Sequence, residues 1–196
     1  MMVIGVTGGI ASGKTTLAAM FAGRAILHID ADTLVHRLMH DDRETIAAIR
    51  KTFPNVVSGE VVDRAALARH ISQTPPALGA LEKIIHPRVR AMEEGAIIHA
   101  RRQRIKAVVL DIPLLFETDA DALCDVVVVA HAPMKLRRRR AFARAGMTDE
   151  KWNRLLNRQL PTHIRNRAAD VVVHTGIGKA ATRRQVMRLM KAWGLR

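Results

Sequence analysis

Apolar residues along this chain follow two rhythms, and the switches between them mark out its regions. Met2-Val3-Ile4-Gly5-Val6-Thr7 is a continuous apolar run, the pattern of a strand covered on both faces. Similar runs recur at Ala25-Ile26-Leu27-His28-Ile29, Ala107-Val108-Val109-Leu110-Asp111, Asp125-Val126-Val127-Val128-Val129 and Asp170-Val171-Val172-Val173-His174. Buried strands alternating with helical stretches predict an α/β fold with a parallel sheet. Residues 14–22 have helical spacing, with Leu17, Met20 and Phe21 on one side and Gly23 as a stop. After the turn Gly176-Ile177-Gly178, a C-terminal helix places Val186, Leu189, Met190 and Trp193 on an apolar face. Residues 33–104 read as almost wholly helical, punctuated by Pro54, Ser58-Gly59, Pro75-Pro76 and Pro87, which predicts a helical insertion. Residues 134–167 read as a basic helical pair broken at Pro161. Thr148-Asp149-Glu150 starts its second helix, with a capping hydroxyl and acids near the positive end of the helix dipole. No repeat or low-complexity linker separates these regions, so one unit of residues 1–196 is expected.

The turn after the first strand carries the most specific chemistry. Residues 8–15, Gly-Gly-Ile-Ala-Ser-Gly-Lys-Thr, match the phosphate-binding pattern G-x-x-x-x-G-K-[ST] between a strand and a helix, the context this loop requires. Gly8, Gly9 and Gly13 allow backbone angles and close approach that a side chain would block, so consecutive amides can form an anion-binding nest. Donor-phosphate contacts are therefore expected from Gly8, Gly9, Ile10, Ala11, Ser12, Gly13, Lys14, Thr15 and Thr16. Lys14 would reach the β- and γ-phosphates, and the Thr15 hydroxyl would ligate Mg²⁺. Ser12 is expected to hydrogen-bond or pack within the loop rather than act as a nucleophile.

A phosphate loop alone does not name a reaction. Asp30 and Asp32 fall at or just beyond the end of the second strand, on the rim where ligands of open parallel sheets gather. Asp32 is the candidate base or acceptor-orienting group, and Asp30 would assist through Mg²⁺-bound water or a hydrogen bond. Either acid could instead cap a helix beginning near Thr33. Asp111 ends an apolar strand where an acid can hold Mg²⁺ through water, although an apolar run followed by Asp is a common pattern. Arg137-Arg138-Arg139-Arg140 with Arg144 forms a candidate cationic lid. On a helix Arg140 and Arg144 share a face, while four consecutive arginines must point in different directions, leaving at least two in solvent. Closure of such a lid would exclude water as a competing acceptor.

Composition narrows the setting. The chain has 196 residues, 48% of them hydrophobic, enough for one substantial core. Its longest apolar stretches, such as residues 107–115, are interrupted by Asp111 and Pro113 and fall short of a bilayer span, so no membrane association is expected. The first strand begins at once, without an export signal, and Cys124 is the single cysteine, so a reducing cytoplasm is expected and Cys124 reads as a small apolar residue. A net charge of +14 attracts polyanions, but 3% aromatic residues offer few platforms for base stacking, and no zinc-finger or RNP spacing is present. Phosphorylated small molecules fit that field better than specific nucleic acid. His36 and His40 lie one helical turn apart without a following Glu or third ligand, and read as surface histidines. The Asn-Lys-x-Asp signature of a guanine site is absent, which argues against a GTPase switch. A kinase for a nucleotide or small alcohol is the leading class; a basic, nucleotide-responsive nucleic-acid binder is the alternative.

Thr7-Gly8-Gly9-Ile10, Asp30-Ala31-Asp32, Leu81-Glu82-Lys83-Ile84-Ile85-His86-Pro87 and Pro113-Leu114-Leu115-Phe116-Glu117 together resemble the dephospho-CoA kinase family over nearly the whole chain. Later matches are Arg140, Arg144, Gln159 and Arg167-Ala168-Ala169-Asp170. The resemblance implies a three-layer fold like that of P-loop nucleoside-triphosphate hydrolases. Its core would take residues 1–32, 105–133 and 168–196, a helical CoA-binding insertion residues 33–104, and a lid residues 134–167. It implies transfer of the ATP γ-phosphoryl group to the ribose 3'-hydroxyl of dephospho-CoA with Mg²⁺; the partners expected are these two small molecules, and a monomer is expected, with an oligomer left open. Asp32 takes the catalytic carboxylate role beside Lys14 and Arg140; Arg140 and Arg144 take the lid role. Arg64 and His86 match positions on the CoA side, with Asp30 and Glu117 also among the substrate-binding positions. His86-Pro87 could instead only set a helix start, and Glu117 only anchor a loop. The chain departs from the family at three positions. Ala11 replaces a usual Gly, at a position expected to need no special backbone angles. Arg137 replaces a Gln, and Thr175 an Asn, so any base, ribose or adenine contact at these two is not carried over.

Overall fold

The computed structural model describes residues 1–23, 25–74 and 76–195; Pro75, of the Pro75-Pro76 pair, lies outside the described residues. In chain order the strands are β1 (Met2–Gly8), β2 (Ile26–Asp30), β3 (Val57–Ser58), β4 (Val61–Val62), β5 (Ala107–Asp111), β6 (Val126–His131) and β7 (Val171–His174). The helices are α1 (Lys14–Phe21), α2 (Ala31–Asp41), α3 (Arg43–Thr52), α4 (Arg64–Gln73), α5 (Ala77–Arg102), α6 (Met134–Phe142), α7 (Asp149–Asn157), α8 (Thr162–Ala168) and α9 (Lys179–Ala192). The chain divides into two units, Met1–Asp30 with Ile97–Arg196, and Ala31–Ala96.

In the first unit, the five apolar runs form one parallel sheet in the order β2-β5-β1-β6-β7. Both faces are covered, which is why the strands are apolar without alternation. Ile4 and Val6 of β1, Val109 of β5 and Val128 of β6 share a cluster with Leu17, Phe21 and Val186, so α1 and α9 cover that face. The Phe21 ring stacks on Trp193 with centroids 6.0 Å apart. On the other face, a Cβ at Gly5 would lie 2.6 Å from Cys124 Sγ and 2.7 Å from Leu115 Cδ1, so glycine is what lets the segments after β5 pack down on β1. Because β1 is central and every strand runs the same way, the phosphate loop, Asp111 and Asp30 emerge at one rim of this sheet.

The second unit contains α2, α3, α4 and the first part of α5 around Ile49, Phe53, Leu67, Leu81 and Ile85. Asp42 caps α3 by accepting from Thr45 N at 2.8 Å, and Asp63 caps α4 by accepting from Ala65 N and Ala66 N, both at 2.9 Å. Two details depart from the wholly helical reading. Ser58-Gly59 lies in a small antiparallel hairpin, β3 with β4: Ser58 ends β3 opposite Val61, and the turn is Gly59-Glu60, in which Gly59 takes φ 57° and Arg50 donates to its carbonyl at 2.5 Å. Nor does Pro87 interrupt or start a helix: it lies inside the 26-residue α5. The proline removes one intrahelical donor. Arg88 Nη1 supplies a nearby one, donating to Ile84 O at 3.0 Å.

Glu93, on α5, is 3% exposed, and burial pushes its carboxyl up to about 7, with Arg90 opposing and Glu94 adding to the rise. A carboxyl held above its ordinary range binds its proton more tightly in the folded state than in the unfolded state. Stability is therefore highest below the ordinary value near 4.5 and declines as pH rises towards 7. Glu93→Gln is expected to raise stability at pH 8 by about 2–3 kcal/mol and to change it little at pH 4.5, read from urea denaturation at both values. Equal effects at the two pH values would remove ionisation as the cause.

Candidate active site

The phosphate loop runs into α1 through a glycine cap and is braced from outside by distant residues. Gly13 takes φ 92° at the N-cap of α1, a left-handed conformation that glycine adopts without penalty, and no side chain caps this helix. The first amides of a helix have no intrahelical acceptor, so here they are available to phosphate oxygens. Ala11 corrects the sequence reading. Its φ of 57° is left-handed, so the position does need special angles, at a cost of roughly 1–2 kcal/mol for a non-glycine residue. Its methyl offsets part of that cost by packing in a small cluster with Ala141 and Trp152.

The outer wall of the loop is braced by residues far away in sequence. Ile10 N donates to Gln159 Oε1 at 2.9 Å, and Ile10 O accepts from Arg137 Nε at 2.9 Å. Ser12 O accepts from the Thr175 hydroxyl and from Arg140 Nη1, the latter at 3.4 Å, while Arg140 Nη2 donates to Thr175 O at 3.0 Å. Ser12 is buried and its hydroxyl has no hydrogen-bond partner among the described residues. The arginine run thus splits by environment. Arg137 is buried; Arg140 is half-buried against the loop; Arg138, Arg139 and Arg144 are exposed. Arg138 pairs with Asp149 and lies 4.5 Å from the Phe142 ring centroid.

Lys14 pairs with Asp111 Oδ1. Asp111 is completely buried, and its Oδ2 lies 3.8 Å from His28 Nε2, too far for a hydrogen bond; both atoms lack a hydrogen-bond partner among the described residues. Burial pushes the Asp111 carboxyl up, but the His28 ring and the Lys14 ammonium together outweigh it and hold the group below the usual carboxylate range. Asp30 stands directly beside Asp111 in the register of β2 and β5. Beside the loop, a cleft of about 280 Å³ is lined by Gly13, Thr16, Arg140, Arg144, Thr175 and Lys179, among others. Thr15 and Thr16 are exposed in the first turn of α1.

Glu117 accepts from Leu160 N at 2.7 Å, a contact that anchors the segment before α8. In the second unit, Asp32 lies inside the first turn of α2, because that helix begins at Ala31; it is not the cap of a helix starting near Thr33. Arg64, exposed at the start of α4, lies 3.2 Å from His36 Nδ1, and His86 is exposed on α5.

Sequence reasoning missed three contributors. His28 faces Asp111, but a histidine in an apolar run carries no chemical pattern by itself. Arg137 stands in the sequence only as one of the candidate lid arginines and, with Thr175, as a departure from the family; the contacts of both with the loop depend on tertiary folding.

A family model described as dephospho-CoA kinase matches residues 2–179 of the chain. A dephospho-CoA kinase from Rhizobium meliloti is 39% identical over 190 residues, covering 97% of each chain. Among solved structures, a Thermus thermophilus protein superposes with a TM-score of 0.81 at 31% identity, covering 97% of this chain and 96% of its own. Dephospho-CoA kinase from Campylobacter jejuni shares the fold at a TM-score of 0.67 and 22% identity, covering 97% and 96%. A phosphate loop, a buried lysine–aspartate pair and an acid-tipped neighbouring strand at one sheet rim thus occur in a chain that belongs to the dephospho-CoA kinase family.

Proposed function

We propose that this chain transfers the γ-phosphoryl group of ATP to the 3'-hydroxyl of dephospho-CoA, giving CoA and ADP. The observation that carries the reading is the meeting of the open phosphate loop, Lys14 and two strand-terminal acids at one rim of the sheet, within a chain of this family. ATP places its phosphates in the loop amides. Its nucleoside end occupies the cleft lined by Arg140, Thr175 and Lys179. Lys14 leaves Asp111 for the β- and γ-phosphate oxygens, a short exchange of one anionic partner for another. Asp32 accepts the proton of the acceptor hydroxyl, and Asp30 orients that group by hydrogen bonding. Arg140 and Arg144 draw over the transferring oxygens and exclude water. Arg64 and His86 contact the CoA portion.

The residues present fit Mg²⁺. Asp111, whose buried Oδ2 has no hydrogen-bond partner among the described residues and whose Oδ1 is released once Lys14 moves, can accept from a metal-bound water, and the Thr15 hydroxyl is exposed at the loop for direct ligation. When bound there, Mg²⁺ would neutralise charge on the β- and γ-phosphates. Both acceptor and donor are small phosphorylated molecules, which accounts for the excess of basic residues without nucleic acid. Among the described residues no helix is long and apolar enough to cross a membrane.

Purified protein with Mg-ATP, offered dephospho-CoA, AMP, CMP, shikimate or gluconate, is expected to release ADP in an acceptor-dependent way with dephospho-CoA alone. Release with another acceptor and none with dephospho-CoA would overturn the reading.

A further inference from the structure

Arg137 is a buried cation placed where the fold by itself has little use for its charge. It is 3% exposed, its Nε donates to Ile10 O at 2.9 Å, and its Nη1 lies 3.4 Å from the Thr162 hydroxyl. The guanidinium occupies the space a side chain at Gly9 would need: a Cβ there would sit 2.2 Å from Nη2 and 2.4 Å from Cζ. Glycine at position 9 is therefore what admits the guanidinium to the back of the loop. Among the described residues no carboxylate lies within 4 Å of it. The nearby carboxylate, Glu117, is engaged with Leu160 N and acts on Arg165 instead. Arg165 is itself 4% exposed, and burial together with its charge pushes Arg137 down to about 10. Burial, His174, Arg137 and Arg165 likewise hold the His131 ring below its usual value. A neutral amide could make the hydrogen bond to Ile10 O, so that bond does not explain a desolvated charge beside a second one.

The loop supplies the missing partner. A trans peptide points its C=O and N–H in opposite directions, so Arg137 on Ile10 O leaves the Ala11 N–H directed away from the guanidinium. Ile10 N–H is already taken by Gln159. A charged donor on the carbonyl polarises that peptide and strengthens its N–H as a donor, and the charge itself adds to the field over the nest.

We propose that Arg137 is a positioning residue of the phosphate loop whose buried charge, uncompensated in the free protein, takes the polyphosphate of the bound nucleotide as its counter-ion. The proposal rests on the loop binding ATP. It makes donor affinity and resting stability respond oppositely to loss of the charge.

The test is Arg137→Gln, which keeps a donor for Ile10 O and removes the charge, beside Arg137→Lys, which keeps the charge and loses the planar fork. Binding of a non-hydrolysable ATP analogue, ADP and AMP is measured by calorimetry with Mg²⁺ and without acceptor, and melting of the free proteins is recorded. Arg137→Gln is expected to weaken the triphosphate about tenfold, equivalent to about 1.4 kcal/mol, with smaller losses for ADP and least for AMP. Its melting temperature without nucleotide should match or exceed that of the unaltered protein. Arg137→Lys should stay within about threefold in affinity. Equal losses for all three nucleotides, a Lys variant as weak as the Gln variant, or a Gln variant that is unfolded or less stable would each overturn the proposal. Because no acceptor is present, these outcomes are independent of whether dephospho-CoA is phosphorylated. A protein that binds nucleotide in this pattern yet fails the acceptor assay would sink the kinase reading alone.

Discussion

Lys14→Met is expected to lower turnover by about 10²–10³-fold, the range associated with removing one preorganised donor from a transition state. The loss should reach beyond catalysis. Lys14 is the ionic partner of the buried Asp111, and truncating one member of a buried pair leaves an uncompensated charge, typically at a cost of about 3–5 kcal/mol. Asp111 lies below the usual carboxylate range because His28 and Lys14 outweigh its burial, so the stability it contributes is present at neutral pH and fades as acid protonates it. Without Lys14, one of the two groups that offset burial is gone, and the carboxyl is expected to rise. The deficit of Lys14→Met should therefore shrink as pH falls from 7 to 5, and adding Asp111→Asn should restore much of the stability while leaving activity lost. Turnover within tenfold of the unaltered protein would remove Lys14 from the phosphoryl site; an unchanged melting temperature would show that the pair does not support the fold.

The second large effect belongs to Asp32. Asp32→Asn preserves shape and removes the proposed proton acceptor, and general-base catalysis is commonly worth about 10²–10⁴-fold, so kcat should fall within that range. Affinity for ATP should stay within about twofold, since the donor's phosphates are assigned to loop amides and Lys14. A parallel fall in kcat and ATP affinity would point to a disturbed first turn of α2. Unchanged kcat would end the assignment. Separate measurement of kcat and of nucleotide binding makes the two cases distinct.

The two variants probe residues that differ in how they came to attention. Lys14 follows from its local string and context: the strand before it and the helix after it are readable from hydrophobic spacing. Asp32 stood out by its place after an apolar run and by the family resemblance, and its helix starts earlier than spacing suggested, at Ala31. Proline and glycine were less reliable markers. Pro87 signalled a break, yet α5 runs through it, held by the burial of Leu81 and Ile85 before it and Ile97 and Ala100 after it. Ser58-Gly59 signalled a pause in helix and lies in a hairpin, with Ser58 ending β3 and Gly59 opening the turn. Tertiary burial outweighed local propensity in the first case, and pairing of two-residue strands carries too little pattern to see in the second.

The arginine run shows the same division at the site itself. Sequence predicted a charged helix and could not say which guanidinium turns inward. Arg137 reaches Ile10 across 127 positions, Gln159 reaches the same residue across 149, and Thr175 reaches Ser12 across 163. Such contacts depend on how β1, β6 and β7 are ordered in the sheet and on where α6 returns to the loop.

The sequence by itself determined the alternation of buried strands and amphipathic helices, the phosphate loop in its strand-to-helix setting and the acids at strand ends, because each is a local pattern with a period or fixed spacing. Only the tertiary structure decided that Asp111 holds Lys14, that Ala11 sits at a left-handed angle, and that Arg137 rather than an exposed neighbour fills the space behind Gly9. The physical reason is that burial, charge compensation and backbone strain belong to the three-dimensional surroundings of a residue, which distant segments supply.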